Sequence, residues 1–349
     1  YVHGAPIDWA GVYQTAQHHK MTLPTYPFQR QRYWVDGSPK AQPARLRPLL
    51  DRMIQLPRHQ ETLFETTFSL DNLPFLVDHQ VFGRIVSPAA CHLALLLSAA
   101  EVMAGQGHAT QANARQATYR LCEVVFPAPL LVPAETTEDG KATTPCLVQT
   151  IVHHNNVEVI SFPADDQEAV AHATGQLFWN HGDPGAPSAF SLAELRARLQ
   201  TAVDLPTLYG SFRDFTFGPS FRWLSKVWVG ADEALAQLRL PATVTGAANY
   251  LHPGLLDACF QVTGAIQVQT ARDQTALPFR LTELTCRQTT AGSAGATWWC
   301  YAKRAGEHGF DIWLLDEQGQ CIVAIRGFED RVVLPQAVKA QESWRTWLY

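Results

Sequence analysis

Two apolar stretches, each opened by a proline, restrict this chain more than any other feature. Behind Ser87-Pro88 an apolar run at helical spacing continues from Ala89 to Met103, and His252-Pro253 opens a second through Leu255, Leu256, Ala258, Cys259 and Phe260. Ser87 is a good helix N-cap residue and proline suits the first helical position, so a helix is predicted behind each proline. A helix with almost no polar face has to be covered on all sides. The covering is legible in both halves. Thr62, Phe64, Thr66 and Phe68 predict a strand with one buried face ahead of the first helix, and strand-like runs at 117–126, 145–153, 157–162 and 168–179 follow it. Strands recur around 224–240, then at 281–287, 297–303, 310–315 and 321–333. One long helix against an antiparallel sheet, written twice, predicts an α+β double hotdog, two hotdog folds in tandem.

A length of 349 residues suits two domains or one duplicated unit. The Gly- and Pro-rich segment His181 to Ser188 reads as the joint, which gives halves at 45–185 and 186–335. Residues 1–44 mix proline, aromatic and basic side chains without sustained period and read as a linker that packs on a neighbour; 336–349 read as the start of a second linker. Ser191-Leu192-Ala193-Glu194 is a capping box for a surface helix, and Asp204 is placed to cap another.

Composition narrows the function classes. With 46% hydrophobic and 17% charged residues the chain reads as soluble and globular, and a net charge of −5 supplies no basic field for nucleic acid. The 7 cysteines are scattered without a CxxC pair, so neither a zinc site nor a disulfide framework is indicated and a reducing compartment is expected. No long apolar span or signal-peptide pattern occurs, so no membrane is expected and a cytoplasmic location follows; Tyr1-Val2-His3 reads as a cut inside a larger polypeptide. His18-His19 lacks a third ligand nearby, and His153-His154 beside Asn155-Asn156 is better explained by turn chemistry than by a metal. GxGxxG, P-loop, HExxH and GxSxG patterns are absent, which argues against a reductase, kinase, metalloprotease or serine hydrolase.

The titratable residues at the two helix starts carry the chemistry. His79 precedes the first helix, with Gly83 and Pro88 at fixed offsets. A histidine beside apolar residues is more often a hydrogen-bonded core residue than a catalyst. Asp257, however, sits in the second apolar helix with Gln261 one turn on, on the same face. An aspartate in such a helix is costly unless it is paired or useful. One titratable group from each half suggests a shared site, and the Gly83 N–H is a candidate hydrogen-bond donor to it.

These residues complete a pattern. His79-x-x-x-Gly83-x-x-x-x-Pro88, Phe217-Gly218-Pro219, Asp257-x-x-x-Gln261 and Leu277-Pro278-Phe279 resemble the motifs of the dehydratase domain of modular type I polyketide synthases, over nearly the whole chain. Leu23 to Trp34 is similar to the end of the acyltransferase-to-dehydratase linker of those multienzymes. The resemblance implies dehydration of a 3-hydroxyacyl thioester to the 2,3-enoyl thioester. The substrate would ride on the phosphopantetheine of an acyl carrier protein, with no cofactor or metal. It implies other domains of the same synthase as partners and a homodimer. His79 would be the base, since an imidazole with a pKa of about 6.5 is largely neutral near neutrality. Asp257 would be the acid, which requires its apolar surroundings to lift a carboxyl pKa from about 3.9. Gln261, Gly83, Pro88, Phe217, Gly218 and Pro219 would position substrate.

The chain departs from the family pattern in four places. Phe217 and Phe215 stand where relatives often carry tyrosine, Arg280 where serine is usual, and Ala89 where glycine is frequent. These leave a second activity open, closure of a pyran ring by oxygen conjugate addition on the same dyad. Intact Pro88 and Gln261 lower the double-bond-shifting alternative, and the intact dyad argues against an inactive scaffold.

Overall fold

The computed structural model describes residues 4, 6, 8–12, 45–55, 58–106, 118–133, 145–162, 169–180, 189–244, 251–267, 274–287, 297–307, 309–335 and 338. The chain divides into a unit at 1–42 and a unit at 43–349. The described part of the first is one helical turn, α1 (Trp9–Val12), where Asp8 Oδ1 accepts from the Gly11 N–H at 3.1 Å. The pairs His18-His19, most of both predicted linkers and the joint at 181–188 lie outside the described residues.

In the second unit the first half runs β1 (Arg52–Gln55), β2 (Glu61–Phe68), β3 (His79–Val81), β4 (Arg84–Ser87), α2 (Ala89–Gln106), β5 (Thr118–Val125), β6 (Leu130–Leu131), β7 (Cys146–His153), β8 (Asn156–Ser161) and β9 (Val170–Asn180). The second half runs α3 (Leu192–Arg198), β10 (Thr201–Val203), α4 (Leu205–Ser211), β11 (Phe215–Phe217), β12 (Leu224–Val229), β13 (Glu233–Arg239), α5 (Pro253–Gln267), β14 (Ala276–Cys286), β15 (Thr297–Ala305), β16 (Gly309–Leu315) and β17 (Cys321–Val332). The long strands fall close to their predicted positions. Ser191 Oγ accepts from the Glu194 N–H and Asp204 from the Thr207 N–H, so both predicted caps form. His154, at φ 54°, turns the β7–β8 hairpin as its sequence context implied.

The fold is a double hotdog. Thirteen of its seventeen described strands form one sheet in the order β1-β2-β7-β8-β9-β5-β14-β17-β16-β15-β13-β12-β10, with antiparallel pairing throughout. The halves meet where β5 pairs with β14, Leu121 opposite Leu284. Each of these is the first strand after its own central helix, so equivalent strands join the repeats into one surface. The sheet wraps α2 and α5, which pack on each other. From Ala90 to Val102 every residue of α2 is buried, Leu93, Leu95 and Leu96 at 0% exposure. Burial on that scale is worth about 1.5–3 kcal/mol for each large aliphatic side chain, which is why a helix with almost no polar face is stable here. No described helix is long and apolar enough to cross a membrane.

Ser87 differs from its expected role. It closes β4, opposite Leu130 of β6, and its hydroxyl lies 3.3 Å from His92 Nε2. The backbone reaches α2 directly from a strand, and the Cys91 N–H bonds to the Pro88 carbonyl at 2.8 Å. A second, four-stranded sheet, β11-β3-β4-β6, was not legible in the sequence. Three of its strands come from the first half and β11 from the second.

Candidate active site

That small sheet brings the motifs together. Phe217 of β11 is paired with His79 of β3, and Thr216 with Gln80. The β3–β4 hairpin turns through Phe82 (φ 49°) and Gly83 (φ 71°), two successive positive values that a tight antiparallel turn demands. Gly83 is exposed at the tip, with open space where a Cβ would be, and it does not line the cavity described below. Its glycine therefore serves the turn, and the expected donor role finds no geometric support.

The hairpin folds Val86 back beneath His79. His79 is 4% exposed, and its Nδ1 lies 2.8 Å from the Val86 carbonyl oxygen. A carbonyl only accepts, so Nδ1 carries the proton and donates, leaving the lone pair on Nε2. The ring is enclosed by Phe221, Phe217 and Phe215, with centroids 5.2, 5.6 and 6.1 Å away. The two departures from tyrosine thus form an apolar wall around the imidazole.

Gly218 and Pro219 build the next turn. The Gly218 N–H donates to the Asp78 backbone oxygen at 2.7 Å and the Ser220 N–H to Asp78 Oδ2 at 2.9 Å. A Cβ on Gly218 would lie 2.1 Å from Asp78 Oδ1, so only glycine fits. Pro219 opens the 3-10 turn Pro219–Phe221. Neither residue lines the cavity; they hold Phe217 and Phe221 against His79.

From the other half, α5 starts on His252, whose Nδ1 accepts from the Gly254 N–H at 3.0 Å. Burial lowers the His252 pKa to about 4, so the imidazole is a neutral cap. Asp257 is 6% exposed and Gln261 4%. Gln261 Nε2 donates to Asp257 Oδ2 at 2.8 Å and to the Phe221 carbonyl at 3.1 Å, so the predicted shared helix face becomes a bond. Desolvation raises the Asp257 pKa, opposed by the nearby His79 and by the Gln261 hydrogen bond. This is the direction a carboxylic acid needs if it is to donate.

His79 and Asp257 line one cavity of about 330 Å³ together with Pro88, Phe217, Gln261 and Pro278. Ser211, Arg213, Asp214 and Gln274 form its exposed rim. Leu277 and Phe279 also face it, on the irregular stretch of β14 where Pro278 breaks the register with β17. Arg280 does not line it: the guanidinium makes two bonds to Glu329 across the sheet, at 2.9 and 2.7 Å. The arginine that replaces serine is thus half of a surface ion pair. No cluster of metal-ligating side chains occurs among the described residues. The sequence reading missed His92 and His172, both buried in the cavity wall. The argument that singled out Asp257, a polar residue in an apolar helix, applies equally to His92.

Comparisons with known proteins bear on the family and the fold. Residues 47–145 match the family model described as polyketide synthase dehydratase domain, and 187–340 match that described as polyketide synthase dehydratase N-terminal domain. Polyketide synthase GfsB of Streptomyces halstedii is 31% identical over 319 residues, spanning 85% of this chain and 5% of that protein. Polyketide synthase ThaG of Burkholderia thailandensis is 29% identical over 363 residues, 99% of this chain and 6% of that protein. The chain therefore spans a small fraction of the curated relatives it matches. Among solved structures, the dehydratase domain from the CurJ module of curacin polyketide synthase has a TM-score of 0.70 and 30% identity, covering 84% of this chain and 98% of that one. A trans-AT dehydratase domain from Brevibacillus brevis has a TM-score of 0.71 and 27% identity, covering 84% and 100%. With matching family models over both halves and a 30% identical structure covered almost completely, the chain belongs to the dehydratase-domain family of modular type I polyketide synthases.

Proposed function

We propose that this domain removes water from a 3-hydroxyacyl thioester carried on the phosphopantetheine of an acyl carrier protein, giving the 2,3-enoyl thioester, with His79 as base and Asp257 as acid. The observation that carries the reading is the fixed tautomer of His79. With Nδ1 donating to Val86, only Nε2 can accept a proton, in a cavity shared with a carboxyl group whose pKa is raised. His79 takes the proton from carbon 2, which the thioester carbonyl acidifies. The electron pair forms the carbon 2–carbon 3 double bond, and the hydroxyl leaves carbon 3 with the proton of Asp257 as water. Gln261 holds the carboxyl in place, and the aromatic wall keeps bulk water from the imidazole. Support also comes from a relative: a CurJ dehydratase with a histidine-to-phenylalanine change is described as an inactive mutant.

The same reading assigns residues 45–185 and 186–335 to the two hotdogs, 1–44 to the linker after an acyltransferase and 336–349 to the next linker. The carrier protein and neighbouring synthase domains are the partners, and the domain is a homodimer. The test is mass spectrometry of purified protein with a short 3-hydroxyacyl thioester and with one that also bears a distal hydroxyl. Loss of one water in the wild type, and in neither His79→Phe nor Asp257→Asn, is expected. No water loss from either configuration of the 3-hydroxyl group would refute the reading. Chromatography against a pyran standard separates simple dehydration from dehydration followed by ring closure, which has the same mass.

A further inference from the structure

The small sheet that carries His79 is supported from outside the main core. Val81 follows His79 by two residues along β3, so the two side chains share a face, with Phe215 and Phe217 opposite them on β11. Val81 and Val86 belong to an apolar cluster separate from the one around α2 and α5. Among the described residues this cluster has four buried members, Val81, Val86, Leu131 and Val338, with Phe215 and Leu277 packed against it. Three of the four come from the sheet itself. The fourth, Val338, comes from the stretch beyond β17 and is 0% exposed.

That stretch is tied to the hairpin of His79 before it reaches the cluster. The Val333 N–H donates to the Thr275 carbonyl at 2.9 Å, and the Thr275 hydroxyl donates to Asp214 Oδ2. The Asp214 backbone oxygen in turn accepts from the Phe82 N–H at 2.8 Å, in the β3–β4 turn. Leu334 is 65% exposed, so the chain meets solvent there and returns inward at Val338.

We propose that Val338 is a positioning residue for His79, acting through Val86. The proposal rests on the reading of His79 as the base. The Val86 carbonyl fixes the proton on His79 Nδ1, and the strand that carries it has short ladders on both sides. Gln80 and Val81 of β3 face Ile85 and Arg84, and β6 supplies only Leu130 and Leu131. The placement of Val86 therefore depends on how its side chain packs. Truncating Val338 opens space in the cluster, and close-packed neighbours relax only in part around such a gap. Val86 shifts toward it, its carbonyl leaves Nδ1, and the lone pair is no longer held on Nε2. The stretch assigned above to the next linker thus reaches the support of the base.

The test compares Val338→Ala, which removes the shape, with Val338→Thr, which keeps the shape and buries a hydroxyl; both should lower the melting temperature. Steady-state dehydration and nitrogen NMR of histidine-labelled protein are then read where each variant is folded. In Val338→Ala, kcat should fall about tenfold with KM changed less than about twofold, because a reacting group is displaced without loss of binding. The His79 Nδ1 and Nε2 resonances, far apart in the wild type, should draw together as tautomers mix. Val338→Thr and the exposed Leu334→Ala should keep the wild-type kcat and the wild-type separation. A Val338→Ala protein that melts earlier yet keeps both would reduce Val338 to ordinary packing and overturn the proposal, as would equal losses in Val338→Thr. Val338→Leu crowds the cluster instead of emptying it, and should disturb the same resonances if the alanine variant does not fold; unmoved resonances there would also overturn the proposal. The NMR readout needs no turnover, so it remains informative if the dehydration assay fails.

Discussion

Replacing Gln261 by leucine tests how the acid is held. The Gln261 amide spends both its hydrogens, one on the Phe221 carbonyl and one on Asp257 Oδ2. Leucine fills similar space and replaces neither bond. The neutral bond is worth about 1 kcal/mol and the bond to the carboxyl about 1.5–3 kcal/mol when that group is ionised, so the loss should total about 2–4 kcal/mol. In a domain of this size that lowers the melting temperature by roughly 4–8 °C. The pH dependence is more diagnostic. Burial raises the Asp257 pKa and the Gln261 bond opposes it, so removing Gln261 raises that pKa further. A carboxyl whose folded pKa is raised costs stability progressively as pH climbs from its unfolded value, 3.8, to its folded one. Leucine extends that window upward, so the deficit of the variant should grow with pH. The alkaline limb of kcat/KM should also move to higher pH while kcat falls roughly tenfold, the equivalent of one lost hydrogen bond in the transition state. Thermal melts and pH–rate profiles of both proteins provide the readout. A deficit that shrinks with rising pH, or an alkaline limb that moves down, would refute the reasoning.

Asp257→Asn removes the titrating group and its desolvation cost, so the melting temperature should exceed that of the wild type increasingly as pH rises above the ordinary carboxylate range, while dehydration falls by about 10²–10⁴-fold. A loss of stability that grows with pH would contradict this. In Gly254→Ala the new Cβ would lie 2.4 Å from the Ser220 carbonyl and 2.5 Å from Trp223 Nε1, so thermal melts should show a loss of about 1–3 kcal/mol, and an unchanged melting temperature would oppose the packing argument. Arg280→Ser removes an exposed pair with Glu329 and should change stability by less than about 1 kcal/mol and leave the rate of water loss unaltered; a large drop in kcat would require Arg280 to reach the substrate.

Much of this architecture was legible because its signals are local. A largely apolar helix, as at Ala90 to Val102, and long strands such as β7 and β17 follow from period and composition alone. The bond between Asp257 and Gln261 follows from helical spacing. What escaped depends on pairing between segments far apart. Strands of three residues, β3 and β11, have too little pattern to announce themselves, yet their pairing places Phe217 on His79. The β5–β14 pairing that fuses the two halves lies beyond reach of any local window. Ser87 was read as a cap because its sequence neighbours fit one; in the fold the strand β4 competes for its backbone and His92 for its hydroxyl. Arg280 stood out as a departure until its cross-strand partner, Glu329, was visible.

The central claim is that His79 handles the proton at carbon 2 while Asp257 handles the oxygen at carbon 3. Running the reaction backwards in D₂O, from the enoyl thioester, tests it most directly, with mass spectrometry and NMR reading where deuterium and hydroxyl arrive. The account predicts that the wild type adds one deuterium at carbon 2 and one hydroxyl at carbon 3, and that His79→Phe and Asp257→Asn add neither. Deuterium incorporation at carbon 2 that persists in His79→Phe would contradict it.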